Sequence, residues 1–326
     1  MRYLSFVAFI CVGLILSCTT SKGGSRMSDI REPVVAGRFY PANKDSLLGM
    51  LERMFHTAPK KEFKGKIYSI IAPHAGYEFS GYTSACVYSA LSGRNYSTVI
   101  VIGPSHYTYF EGASVLLADG YKTPLGVVPI DLELANALRE KSPIVDFHPE
   151  AHIREHSVEV QVPFLQFALG DGWKLVPIVM GTQDRSTVDA LADAIVQLVK
   201  GKKVLLVASS DLYHGYSYRD CVESDSVVID YIEACEFDEL LRYNEEVHRE
   251  GKAAACGAGP IAAVLEASLR LGGDSVVLVH RINSNDVMGT RGGYVVGYAS
   301  FVVVGNEASD EQLGGDTKEM LSLIHI

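Results

Sequence analysis

Short apolar runs rich in Val and Ile recur along the chain, separated by longer stretches of mixed polarity. The runs are "KIYSIIAP" from Lys66, "STVIVIGP" from Ser97, "WKLVPIVMG" from Trp173, "KKVLLVASS" from Lys202, "DSVVLVHRI" from Asp274 and "GYVVGYASFVVV" from Gly293. They lack the polar alternation of a half-exposed strand, so they predict strands covered on both faces. The intervening stretches repeat at helical spacing: "NKDSLLGMLERMFHTA", "SGYTSACVYSALSG", "LELANALREKS", "RSTVDALADAIVQLVKG", "SDSVVIDYIEAC" and "GPIAAVLEASLRLG". The helix opening at Arg185 has Ser186 and Thr187 at its start and stops at Gly201, as capping chemistry predicts. Strands alternating with helices predict an α/β fold, an αβα sandwich around a mixed, largely parallel sheet. No convincing linker breaks the pattern, so residues 31–306 are read as one domain.

The two ends read differently. Arg2 gives a positive start, "YLSFVAFICVGLIL" is apolar, and "ILSC" sets Ser17 before Cys18. The run is short against the roughly 20 residues of a spanning helix. It matches a lipoprotein signal over residues 1–17, with Cys18 lipidated and 18–30 a flexible tether. That predicts a cell-envelope protein whose only membrane contact is the lipid on Cys18. The alternatives are a plain secretory signal, an uncleaved anchor, or translation from Met27, which would leave the protein cytoplasmic. Residues 307–326 are polar until the closing "LSLIHI" and are expected to be a disordered tail.

Composition narrows the function classes. With 48% hydrophobic and 21% charged residues the chain has an ordinary globular balance. A formal net charge of -10 argues against a nucleic-acid partner, which needs a basic face. No C-x-x-C pair occurs among the six cysteines, so neither a zinc knuckle nor a thioredoxin-like motif is present. Cys86 reads as a small buried apolar residue. Walker, dinucleotide and G-x-S-x-G signatures are also absent from the sequence.

Three of the apolar runs end alike. "IIAPH" ends at His74, "VIVIGPSH" at His106, and "VLLVASSDLYH" at Asp211 and His214. In open α/β sheets ligands collect at the carboxyl ends of the strands. Three imidazoles arriving there together suggest a metal site, since imidazole is a ligand for zinc, iron and copper. Asp211 could add a ligand or orient a histidine. Cys256, in "AAACGAGPIAAVLEA", precedes a helix opening near Pro260. A helix N-terminus lowers a thiol pKa, which suits a metal ligand or a nucleophile; a small residue buried in a tight turn is the other reading. "HIREHSVEVQVPFLQ" spaces His152 and His156 four apart, with Glu159 three further on. It lacks the glutamate placement of a zincin, and "SVEVQVP" could equally be extended. His156 and Glu159 are read as pocket wall or acid–base groups and His152 as a surface residue.

Taken together, "REPVVAGRFYP", "IIAPHAGYEFSG", "VIGPSH", "YKTPLG", "EHSVEVQVPFL", "ASSDLYHG" and "CGAGP" resemble the Memo family, whose bacterial members are called AmmeMemoRadiSam system protein B. The motifs run in order from Arg31 to Pro260. The resemblance implies a fold similar to class III, LigB-like extradiol dioxygenases. It puts the metal positions on His74, His106 and Cys256, with Asp211 and His214 lining the same pocket. Where those dioxygenases hold Fe(II) with two histidines and a glutamate, Cys256 takes the carboxylate's place here. A thiolate shifts preference toward copper(I), zinc or thiolate-tolerant iron, and away from ring cleavage. The implied function is a metal-dependent, redox enzyme with iron or copper foremost and zinc the third choice. His214 would act as general acid or base, positioned by Asp211, on a small-molecule or peptide substrate. The alternative is a metal-handling or ligand-binding module without turnover. The family name also associates the chain with radical-SAM and AMMECR-type proteins in a modification pathway.

Overall fold

A computed structural model describes residues 30–306. The expected signal peptide, lipidated Cys18, nearly all of the tether and the C-terminal tail lie outside the described residues. Among the described residues no helix is long and apolar enough to cross a membrane.

The elements follow in chain order. They begin with β1 (Ile30–Arg31), α1 (Lys44–Thr57), β2 (Lys66–Ala72), α2 (Tyr77–Tyr88), β3 (Thr98–Pro104), β4 (Ala113–Val115), β5 (Gly120–Thr123), β6 (Gly126–Pro129), α3 (Leu132–Lys141) and β7 (Val145–Asp146). Next come α4 (Pro149–Ile153), α5 (Val162–Leu169), β8 (Lys174–Met180), α6 (Arg185–Val199), β9 (Val204–Ser209), β10 (His214–Gly215) and α7 (Tyr218–Ala234). The chain closes with α8 (Phe237–Arg249), α9 (Ala258–Arg270), β11 (Ser275–Asn283), α10 (Ser284–Met288) and β12 (Val295–Gly305).

The main sheet runs β11-β12-β2-β9-β3-β8-β4-β7, with β10 also pairing to β12. Its centre, β2-β9-β3-β8, is parallel throughout. Antiparallel β12 and β11 extend one side and β4 the other, which makes the sheet mixed as expected. Every residue of β3 and β9 is buried, as runs of Val, Ile and Leu without polar alternation require. On one face α3, α6, α9, α8 and α7 pack each against the next, with α9 lying on β2, β9 and β3. The helices α1, α2 and α5 pack on one another, and α2 lies on β2, β11 and β12. One large apolar core joins these layers, and Cys86 is buried in it.

Some elements differ from the sequence reading. Helix α6 opens at Arg185 as expected, but its cap is Asp184, whose carboxylate accepts the Thr187 amide, rather than Ser186 or Thr187. Helix α8 was not expected, because its charge-rich sequence buries little beyond Leu240 and Leu241. A small second sheet, β1-β5-β6, is made of strands of two to four residues, too short to leave an apolar signature.

Candidate metal centre

Two residues past β2 comes His74, two past β3 comes His106, and just past β9 come Asp211 and His214. Strand β9 pairs with both β2 and β3, so the three loops are neighbours at the carboxyl edge. The loops are also stitched together: the Asp211 carboxylate accepts the His74 amide at 2.7 Å.

Hydrogen bonding fixes the tautomers. Ser209 Oγ gives its single hydrogen to the Ser157 carbonyl at 2.6 Å, so it can only accept from His74 Nδ1 at 2.9 Å. His106 Nδ1 lies 2.9 Å from Glu155 Oε1, and His214 Nδ1 lies 2.8 Å from the Leu212 carbonyl oxygen. Both acceptors require a donor. Each of the three rings therefore carries its proton on Nδ1 and leaves the Nε2 lone pair free for a metal or a proton.

His156 completes the group. Its ring centroid lies 4.6 Å from that of His106 and 5.5 Å from that of His74, and the latter two are 5.1 Å apart. One nitrogen from each ring can be chosen so that all three lie within 4.8 Å of one another. His156 Nδ1 is buried without a hydrogen-bond partner, although Glu155 Oε1 is 3.5 Å away. An orphan nitrogen in a cluster of free lone pairs fits a bound cation. So does the Cys256 thiol, 3.2 Å from His74 Nε2: nitrogen and sulfur on one tetrahedral ion stand about 3.6 Å apart. The donors present thus fit the metal that the motifs imply, whether His156 or Cys256 is the third ligand.

Glu155, which sequence reasoning missed, organises the cluster. Its carboxylate accepts the His106, His156 and Ser157 amides as well as His106 Nδ1–H. Its sequence signals were its position beside His156 and its place at the head of the motif "EHSVEVQVPFL". Burial pushes its pKa up, but the bonds and charge of His106 prevail and hold it at about 2. Burial drives His74 well below the ordinary histidine range, helped by His106. Burial, then His74, lowers His156 to about 4. At neutral pH both rings are uncharged, the state a metal requires. Burial also pushes the Asp211 carboxyl above the ordinary carboxylate range, against the pull of His214 and of the His74 amide.

Cys256 departs from its expectation of a lowered pKa. Burial pushes the thiol up, and nearby Asp211 reinforces this. The thiol sits ahead of α9, 3.5 Å from the Asp211 carbonyl oxygen and 3.8 Å from Ser210 Oγ, and the pull of the Asp211 backbone and Ser210 hydrogen bonds toward a lower pKa is outweighed by burial. The tight approach is permitted by Gly257, where a Cβ would stand 2.6 Å from the Ser209 carbonyl oxygen.

A pocket of about 370 Å³ opens over the cluster, bounded also by Arg38, Phe39, Phe79, Asp211, His214 and Val296. Two residues fall elsewhere than expected. Glu159 does not reach the pocket wall: its fully buried carboxylate pairs with Arg31 and accepts from the Val34 and Val35 amides and the Tyr40 hydroxyl. It has no exchangeable contact with the pocket and serves to dock the N-terminal segment. His152 is buried, not on the surface, with Nε2 2.8 Å from Ser114 Oγ. The segment turns through α4 and a short 3-10 helix, Glu159–Gln161, so His156 and Glu159 point apart.

Comparison with known proteins gives consistent matches. A family model described as Memo-like protein matches residues 31–302. MEMO1 family proteins of Methanosarcina acetivorans and Archaeoglobus fulgidus are each 39% identical, over 281 and 278 residues, covering 84% of this chain and 99% of theirs. One from Nitrosopumilus maritimus is 34% identical over 275 residues, covering 83% of this chain and 98% of its own. Among solved structures, an uncharacterized protein from Escherichia coli K12 is a distant likeness, with TM-score 0.46 and 16% identity over 71% of this chain and 99% of that one.

Proposed function

The chain belongs to the Memo family, and from that premise we propose that it is a metal-dependent enzyme with redox chemistry. One observation carries the reading. His74 and His106 have their Nδ1 atoms committed to protein acceptors, and donor atoms of these two rings and His156 lie within 4.8 Å of one another. His74 and His106 would hold the metal, with His156, Cys256 or both completing the set. Iron or copper suits this set best for redox work, with zinc the third choice. Such an ion, when bound, would supply Lewis acidity and an electron-accepting centre next to the substrate.

The remaining groups have separate tasks. His214 faces the pocket with a free Nε2, which suits it to take a proton from the substrate and return it later. Asp211 fixes the His74 backbone through the amide bond and borders the pocket beside His214. Phe39, packed edge-on against His156 at 4.9 Å, narrows the space open to water.

The test is metal content by mass spectrometry on purified protein. Near one iron or copper per chain is expected, falling below about a tenth in His74→Ala and His106→Ala, since each removes a ligand and leaves its partners unfilled. Parallel His156→Ala and Cys256→Ala variants identify the third ligand. Full occupancy in the His74 and His106 variants would end this assignment. Oxygen uptake with catechols and reductants then tests turnover, and His214→Ala should keep the metal but lose uptake.

A further inference from the structure

Arg38 borders the pocket and has no carboxylate partner among the described residues. Among the described residues most other arginines do have one: Arg31 pairs with Glu159, Arg139 with Asp146, Arg185 with Glu266, Arg270 with Asp193 and Arg291 with Asp286. Arg154 is engaged over the ring of Tyr107 at 4.8 Å, and that ring packs against His156. Arg38 is thus a permanently charged, multi-donor group bordering the cavity.

Its mounting is rigid. Gly37, at φ +80°, turns the chain, its amide donating to the Tyr40 carbonyl at 2.7 Å while the Arg38 amide donates to Val35 at 3.0 Å. Both feet of this turn are held by one buried carboxylate, because Glu159 accepts the Val35 amide and the Tyr40 hydroxyl. On the far side the Phe39 carbonyl accepts the Tyr77 amide at 2.7 Å. A guanidinium fixed at its backbone loses less freedom when it grips a ligand. The phenyl rings of Phe39 and Phe79 border the same cavity and offer apolar walls to the body of that ligand.

We propose that Arg38 is a specificity-determining residue: the pocket takes a small substrate with an apolar body and an oxyanion, carboxylate or phosphate, which Arg38 binds while the rest reaches the imidazoles. This rests on reading the pocket as the substrate site. The chain's net charge of -10 repels anions at long range, so selection for one must come from a local fork of donors of this kind.

The experiment is calorimetric titration of the purified, metal-loaded protein with benzoate, phenyl phosphate and neutral benzamide, repeated after metal removal. Binding is read without turnover, so a protein that proves catalytically silent leaves the result intact. Expected is binding of at least one anion, with benzamide much weaker. Arg38→Gln should weaken the anion about tenfold or more at unchanged melting temperature, with and without metal. The tighter anion names the source, carboxylate or phosphoryl. The proposal is overturned if Arg38→Gln stays within about twofold of the parent. Benzamide binding as tightly as benzoate would also overturn it, as would failure of both anions to bind in the millimolar range.

Discussion

Glu155 holds His106 at two points: Oε2 accepts the backbone amide at 2.7 Å and Oε1 accepts Nδ1–H at 2.9 Å. The same carboxylate takes the His156 amide at 2.9 Å, so one residue orients two imidazoles. Glu155→Gln would present an NH₂ where an acceptor is needed. We expect metal affinity to fall about 10- to 100-fold, as for other groups that orient ligands. A chelator competition titration measures it; unchanged affinity would mean that the histidines orient themselves.

The Arg31–Glu159 pair is buried on both sides. Glu159→Ala leaves a guanidinium in the interior and three donors without an acceptor. Unfolding in urea should reveal a loss of about 3–5 kcal/mol. The double replacement Arg31→Met with Glu159→Leu should be milder, because the uncompensated charge is gone. Equal losses in the single and double variants would contradict this account.

Acid should find His152 before it finds the sheet. Burial, then the charge of Arg31, lowers its folded pKa to about 3 against an ordinary value of 6.5. Between those values the unfolded chain binds a proton that the folded chain does not, so this group's contribution rises with pH and is complete above about 6.5. Falling from pH 6.5 to 5 should remove on the order of 2 kcal/mol. His152→Gln, which keeps an amide for Ser114, should make the profile shallower in that window by this amount, leaving the slopes that His74 and His156 contribute there. Parallel profiles for the two proteins would rule the effect out.

Gly257 lies between Cys256 and α9, and a methyl group there would press on the Ser209 carbonyl. Gly257→Ala should cost about 1–3 kcal/mol of stability, in the range of overpacked interiors. It should also shift the Cys256 thiol from His74 Nε2. If metal stoichiometry falls with it, the thiol belongs to the metal's ligands; full occupancy would leave the three imidazoles as the set.

The sequence by itself determined the strands and the histidines at their ends. Runs such as "TVIVIGP" can be satisfied only by burial on both faces, and a polar residue straight after such a run must emerge at the sheet's edge. That is local information, and it carried His74, His106, Asp211 and His214 to one edge. The tertiary structure decided what meets them there. "HIREHS" fits a helix or an extended segment equally well by spacing. Only packing against Pro104 and Ser209, through Ser157, turns His156 toward the cluster and Glu155 beneath His106. Glu159 pairs with Arg31, 128 residues earlier, and His152 with Ser114, 38 residues earlier, and both are buried because those partners satisfy them. Such pairings depend on chain segments brought together by the folded core, and no periodicity within a segment records them.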